Sequence, residues 1–194
     1  MQHLSDAELI GLCQGGSEPA FTAIYERYQQ TVINFAYQIL RDKDLSLDAL
    51  QEVFAYVFRK IPDYQPQAKF STFLFTVTRH ICINIARKRR PEMMVPIDDV
   101  NHIVFQKEIP APDNLAQDAE LMALVNQELE QMPLLYREVI VLKIIKGMQY
   151  DEISRIIQCP IGTVKSRLHN GLELLRAKLA ENRKNIDSRE PKRP

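Results

Sequence analysis

QYDEISRIIQCPIGTVKSRLHNGLELLRAKL, residues 149–179, is the stretch whose reading decides the fold. Ile153, Ile156 and Ile157 mark the buried side of a short helix, and Pro160, lacking an amide hydrogen, prevents Gln158–Ile161 from continuing it smoothly. Beyond that break Val164, Leu168, Leu172, Leu175 and Leu179 recur at three- and four-residue spacings, which gives a second helix one apolar stripe. Thr163, Ser166, Arg167 and Asn170 share a different face that is short, polar and basic. A helix, a tight turn and a helix carrying such side chains is the layout of a helix-turn-helix, whose second helix enters the major groove of DNA. The competing reading makes Lys165, Arg167, His169 and Arg176 the solvated side of an ordinary amphipathic helix. Between Pro160 and Glu173 this segment has no acid, which favours the DNA reading.

Upstream of this unit the apolar residues keep a helical period almost throughout. Ser5 and Glu8 have the spacing of a capping box before Leu9, Ile10, Leu12 and Cys13, and Gly15 and Gly16 end that short helix. Pro19 sits at a first turn, after which Phe21 to Leu40 reads as one long core helix up to about Arg41. After a polar RDKD break, Leu47, Leu50, Val53, Phe54, Val57, Phe58 and Ile61 form the expected inner side of a third helix. Asp48, Gln51, Glu52 and Ala55 are its outer side, and Pro62 stops it. PDYQPQAK, residues 62–69, reads as a loop, with Ser71 placed to cap the helix that follows.

In that helix Leu74, Val77, Ile81 and Ile85 are expected to face inward, while Arg79, His80, Ile83, Asn84 and Arg87 fall on a second face. It finishes in Arg87, Lys88, Arg89 and Arg90, a cluster that either caps the negative end of the helix dipole or meets nucleic acid. Residues 91–114, with Pro91, Pro96, Pro110 and Pro112, read as an extended acidic linker in which the apolar HIVF stretch, residues 102–105, is suited to docking. Helical period returns with Leu115, Ala119, Met122, Val125 and Leu129, and after Pro133 with Leu135, Val139, Leu142 and Ile145, ending at Gly147. Residues 183–194 read as a frayed tail. No stretch has the period of two that marks strands.

The expected fold is therefore all-α: two small helical domains, residues 1–90 and 115–182, joined by a flexible linker, the second a helix-turn-helix. A content of 45% hydrophobic and 26% charged residues is that of a soluble globular chain. No apolar run approaches membrane length and the N-terminus lacks a signal-peptide pattern, so a cytoplasmic location is expected. Cys13, Cys82 and Cys159 form no CxxC pair and do not cluster with His3, His80, His102 or His169, so neither a metal nor any other cofactor is expected. The net charge of zero conceals a pattern: 11 Lys or Arg against 9 Asp or Glu in residues 1–90, 1 against 9 in 91–130, and 13 against 7 in 131–194. Basic ends around an acidic connector suit a chain that meets a polyanion at both ends.

Four stretches, in order, resemble a bacterial RNA polymerase sigma factor of the extracytoplasmic-function group. AFTAIYERY (20–28) and LDALQEVFAYVF (47–58) are similar to the family's first conserved helices, and KFSTFLFTVTRHICINIARKRR (69–90) to the helix that melts and reads the minus-ten element. MPLLYREVIVLKIIKGMQYDEISRIIQCPIGTVKSRL (132–168) is similar to the domain that reads the minus-thirty-five element. The resemblance implies that Asp48, Gln51 and Glu52 contact core RNA polymerase, with Phe54 in the core. It implies that Arg79, Arg87 and Lys88, with His80 and Asn84 on the same helix, follow promoter DNA at the minus-ten element. It implies too that the loop from Tyr64 through Lys69 to Ser71 holds a base flipped out of the stack. Thr163, Lys165, Ser166, Arg167 and Asn170 would meet the minus-thirty-five groove, Arg167 donating twice to a guanine.

Phe73 stands where the family usually has Trp, His80 where Asn is common, Asn84 where Asp is common and Asn170 where Arg is frequent. Gln158 occupies a turn position where Gly is usual, and a left-handed backbone there would cost about 1 kcal/mol. The resemblance also implies an anti-sigma partner at the membrane and no small-molecule substrate. Two other classes compete. A stand-alone helix-turn-helix regulator would bind its operator without polymerase as a symmetric dimer, but has no need of the 69–90 helix and its basic end. An enzyme would need a phosphate-binding loop, nucleophile elbow or metal cluster, none of which the sequence offers.

Overall fold

The computed structural model describes residues 1, 3–89 and 119–187, and every element in them is helical. Arg90, the expected linker at 91–114, its 102–105 stretch and the end of the tail lie outside the described residues. The described residues fall into two compact units, an N-terminal one with which Ser154–Gln158 also group, and a C-terminal one of the remaining residues from 119 on.

In the N-terminal unit α1 spans Asp6–Gln14, α2 Glu18–Leu40, α3 Lys43–Lys60 and α4 Phe70–Arg89. The capping box is present: Ser5 Oγ accepts from the Glu8 amide at 3.4 Å and the Ser5 amide donates to the Glu8 carboxylate at 2.7 Å. Helix α2 is capped by Ser17, whose side chain accepts from the Ala20 amide, with Pro19 in the first turn as expected. The RDKD break is shorter than the sequence suggests. Arg41 turns left-handed at φ 53°, and Asp42 caps α3 by accepting from the Leu45 amide at 3.0 Å, so the helix begins before Leu47.

Leu9, Ile24, Val32, Leu50, Val53, Phe54, Val57, Phe70 and Leu74 make the core, a single cluster that spans all four helices. Two inward expectations on α3 are corrected: Leu47 is 48% and Phe58 57% exposed. They lie at the edges of the apolar stripe, where the buried places are taken by Leu45, Ser46 and Ala49 at one end and Val57 at the other. On α4 the deepest line is Leu74, Thr78, Cys82 and Ala86, with Val77, Ile81 and Ile85 only half-buried. Small side chains there let α4 approach α2 and α3 closely, and hydropathy does not single them out. Burial, helped by the charge of Glu52, pushes the Cys82 thiol up to about 12. Ser71 is not a cap. It lies inside the first turn of α4, which opens at Phe70, and the Phe73 amide reaches the Lys69 carbonyl at 3.3 Å.

In the C-terminal unit α5 spans Ala119–Gln131 and α6 Leu134–Ile140, continued by a π-helical turn over Val141–Ile145. The wider turn closes through the Lys146 amide on the Val141 carbonyl at 3.0 Å, and Gly147 then takes φ 65°. One residue more per turn rotates Ile145 outward to 53% exposure while Leu142 stays fully buried, so the expected inward place for Ile145 is corrected.

Helix α7 spans Tyr150–Ile157 and α8 Ile161–Asp187. Ile153, Ile156 and Ile157 of α7 and Val164, Leu168 and Leu175 of α8 are buried as the spacing requires, while Leu172 and Leu179 of the same stripe are only half-buried. Gly171 is where α8 passes over α6: an added Cβ would stand 3.0 Å from both Ile140 Cδ1 and Tyr136 Cβ. Helix α8 runs past the expected end at Asn182, whose amide donates to Glu128 Oε1 of α5 at 2.7 Å and anchors it beyond the last apolar contact.

Gln158, in the turn between α7 and α8, has φ 55°, the left-handed conformation expected there. Gln158→Gly removes the Cβ clash, so it is expected to stabilise the fold by up to about 1 kcal/mol, read by chemical denaturation; an unchanged midpoint would show the strain relieved elsewhere.

Candidate nucleic-acid interface

Three surfaces gather the residues singled out in the sequence. The first is the outer face of α3. Asp48, Gln51 and Glu52 are all exposed, one helical turn apart. Leu47, Ala55 and Phe58 share their exposure, so the face is a carboxylate-rich strip with an apolar residue at each end. Phe58 packs edge-on against Phe21 with centroids 5.0 Å apart, which fixes where its ring points. Phe54 is in the core, as expected. Sequence reasoning missed Leu47 and Phe58 as surface groups because it places the large apolar residues of this helix inward.

The second surface joins the 64–69 loop to α4. Tyr64 is half-buried, its ring 4.8 Å from Phe73 and 6.0 Å from Phe70, while Gln65, Pro66, Gln67 and Lys69 are exposed. Burial first, then the charge of Asp6, raises the Tyr64 phenol, which therefore stays a neutral donor at physiological pH. Phe73, at the place where the family usually has Trp, packs against Tyr64 and Phe70 and so belongs to the base of the loop. Along α4, His80, Arg87 and Lys88 are exposed and Asn84 half-exposed. At roughly 100° per residue His80, Asn84, Arg87 and Lys88 lie on one face, with half-buried Arg79 on its flank. Ser71 is half-buried within the first turn. The described part of the basic cluster, Arg87, Lys88 and Arg89, sits in the last turn, at the negative end of the dipole and beside that face.

The third surface is α8. Lys165 is exposed, and its Nζ stands 5.5 Å from the centre of the Tyr150 ring, which Lys143 approaches at 4.5 Å. One aromatic ring thus gathers two cations beside the recognition helix. Thr163 and Asn170 are half-exposed, and Ser166 Oγ donates back to the Thr163 carbonyl at 3.1 Å.

Arg167 lies differently from its neighbours. Its side chain is 12% exposed and its Nη1 is 3.9 Å from Oε1 of Glu138, which is 2% exposed on α6. Along α8 Lys165, Glu173 and Arg176 are exposed, while Thr163, Ser166, Arg167, His169 and Asn170 are all half-buried, Arg167 on the side nearest α6. His169, four residues after Lys165, is 21% exposed and stands 3.4 Å from Glu173. Among the described residues no three His, Cys, Asp or Glu side chains form a metal-binding group, and no helix is long and apolar enough to cross a membrane.

Comparison with known proteins follows the same division. Residues 24–92 match the family model of sigma-70 region 2 and residues 122–175 that of sigma-70 region 4. The ECF RNA polymerase sigma factor SigW of Bacillus subtilis is 31% identical over 172 residues, covering 86% of this chain and 92% of that protein. The ECF RNA polymerase sigma-E factor of Escherichia coli is 30% identical over 184 residues, covering 90% and 94%. In fold, the chain is similar to CnrH, solved in complex with the cytosolic domain of CnrY, at a TM-score of 0.65 and 21% identity, covering 91% of this chain and 97% of that one. It is also similar to the sigma factor RpoE of Bartonella quintana, solved with the anti-sigma factor NepR, at a TM-score of 0.62 and 22% identity, covering 82% and 96%. With both sigma-70 regions matched in order and a relative of this identity aligned over nearly its whole length, the chain belongs to the extracytoplasmic-function group of sigma factors, which direct RNA polymerase to promoters.

Proposed function

We propose that the chain works without covalent chemistry or a cofactor, as a dissociable subunit in the cytoplasm that seats on core polymerase through the outer face of α3. Asp48, Gln51 and Glu52 make the polar contacts and Leu47 and Phe58 the apolar ones. The observation that carries this reading is the exposure of Leu47 at 48% and Phe58 at 57% around those three side chains. On such a strip the carboxylates and the amide set partner and register, while the apolar side chains at its ends add area that binding removes from water.

From that seat the α4 face of His80, Asn84, Arg87 and Lys88, flanked by Arg79, follows the non-template strand at the minus-ten element. The loop from Tyr64 through Lys69 to Ser71 takes one unstacked base. Cations tracking a backbone beside an aromatic platform are what single-stranded recognition requires. Helix α8 enters the minus-thirty-five major groove with Lys165 exposed and Thr163, Ser166, His169 and Asn170 beside it. The 91–114 segment tethers the two modules. Melting is driven by tighter binding of the opened promoter than of the duplex, since differential affinity alone shifts that equilibrium. An anti-sigma protein at the membrane is the expected inhibitory partner, in line with the neighbour solved with one.

The test is a binding titration against core polymerase. Asp48→Ala combined with Gln51→Ala is expected to weaken binding by about tenfold or more, with helical content unchanged. Unaltered affinity would remove the α3 face from the interface.

A further inference from the structure

We infer that α1 is a positioning element for the 64–69 loop, acting through Gln14. The inference rests on the reading above that this loop receives an unstacked base. The Gln14 amide Nε2 donates to the Ile61 carbonyl at 3.2 Å and to the Tyr64 carbonyl at 2.8 Å, so one side chain clamps the turn from which the loop departs. The Tyr64 amide closes the same turn on the Ile61 carbonyl at 3.0 Å. Beyond Tyr64 the loop is largely exposed, so its path is set at its ends, and Gln14 fixes the first of them.

Helix α1 is itself held in register from its other end. Asp6 accepts from Arg27 Nη1 at 2.7 Å and from the Tyr28 hydroxyl, while Arg27 Nη2 donates to the Leu4 carbonyl at 2.6 Å. The Tyr28 ring packs 5.6 Å from Phe70, which in turn packs against Tyr64 and Phe73. Helix α1 therefore reaches the start of the loop twice, through its backbone by Gln14 and through its aromatic base by Asp6 and Tyr28. Helix α1 precedes residue 24, where the match to sigma-70 region 2 begins, so the support comes from a segment which that match does not include. A loop that must accept one base and reject three gains selectivity from being fixed before the base arrives.

Gln14 is otherwise exposed, so substitutions there spare the core. Holoenzyme would be reconstituted with the wild type, with Gln14→Glu, which keeps the shape and loses the donors, and with Gln14→Lys, which restores a donor. Each would be titrated with promoter fragments pre-opened over the minus-ten element and carrying each of the four bases in turn at each non-template position. Gln14→Glu is expected to narrow the preference at one position by about tenfold, with the thermal midpoint and minus-thirty-five duplex binding unchanged, and Gln14→Lys to recover it. A preference intact in Gln14→Glu overturns the positioning role and leaves the reading of the loop standing. A preference lost together with thermal stability and not recovered by lysine overturns it as well. A wild type with no preference at any opened position overturns the loop reading itself.

Discussion

Arg137→Met is expected to destabilise the C-terminal unit by about 3 kcal/mol. Arg137 is 4% exposed, and its Nη1 donates to three carbonyls at the end of α5: Leu129 at 3.5 Å, Glu130 at 3.1 Å and Met132 at 3.0 Å. The last carbonyls of a helix have no partner within it, and they gather at the negative end of its dipole. A guanidinium is the group that answers both needs, with several donors and a fixed positive charge. Methionine keeps the apolar stem and removes the donors, so the carbonyls lose a charge-assisted partner in a place that water enters poorly. Chemical denaturation of the full chain, following the C-terminal transition, reads the effect. A loss below about 1 kcal/mol would mean that the stem, not the cap, is what Arg137 contributes.

Arg137 also shows where sequence reading stops. A lone arginine after Pro133 looks like one more surface charge, because periodicity says nothing about a helix end folding back over it. What the sequence did disclose is local. The Ser5 box, the Pro19 start, the left-handed Gln158 and the stripe from Val164 to Leu175 each depend on residues within a turn or two, and each is present. The failures are tertiary. Leu47 and Phe58 were assigned inward because they are apolar, yet core positions on α3 are set by how α2 and α4 lie against it. Ile145 was assigned inward by a 3.6-residue period that the π turn interrupts. For the surfaces, the outer face of α3 and the exposed line of α4 were legible as patterns of polar residues. The true azimuth of α8 was not, because it depends on Glu138, Tyr136 and Ile140 of another helix.

That azimuth gives the second large effect. Glu138→Ala is expected to cost about 3 kcal/mol, because it leaves the guanidinium of Arg167, 12% exposed, without its carboxylate. Arg167→Ala should cost less, since Glu138, 2% exposed, has interactions besides this one. The pair changed together to Glu138→Leu and Arg167→Met should recover most of the loss, with a coupling of about 1–3 kcal/mol, because apolar side chains of similar volume often replace a buried ion pair without penalty. The same cycle decides what Arg167 does on DNA. A residue donating to a guanine would, when removed, erase the preference at one base pair and show no coupling to Glu138. A residue that holds α8 at its angle over α6 would instead weaken binding to every minus-thirty-five sequence alike, and the apolar pair would restore it. The buried setting of Arg167 favours the second pattern, which would leave base reading to the other polar side chains of α8, exposed Lys165 foremost. Loss of a single base preference in Arg167→Ala at unchanged stability would return Arg167 to the groove.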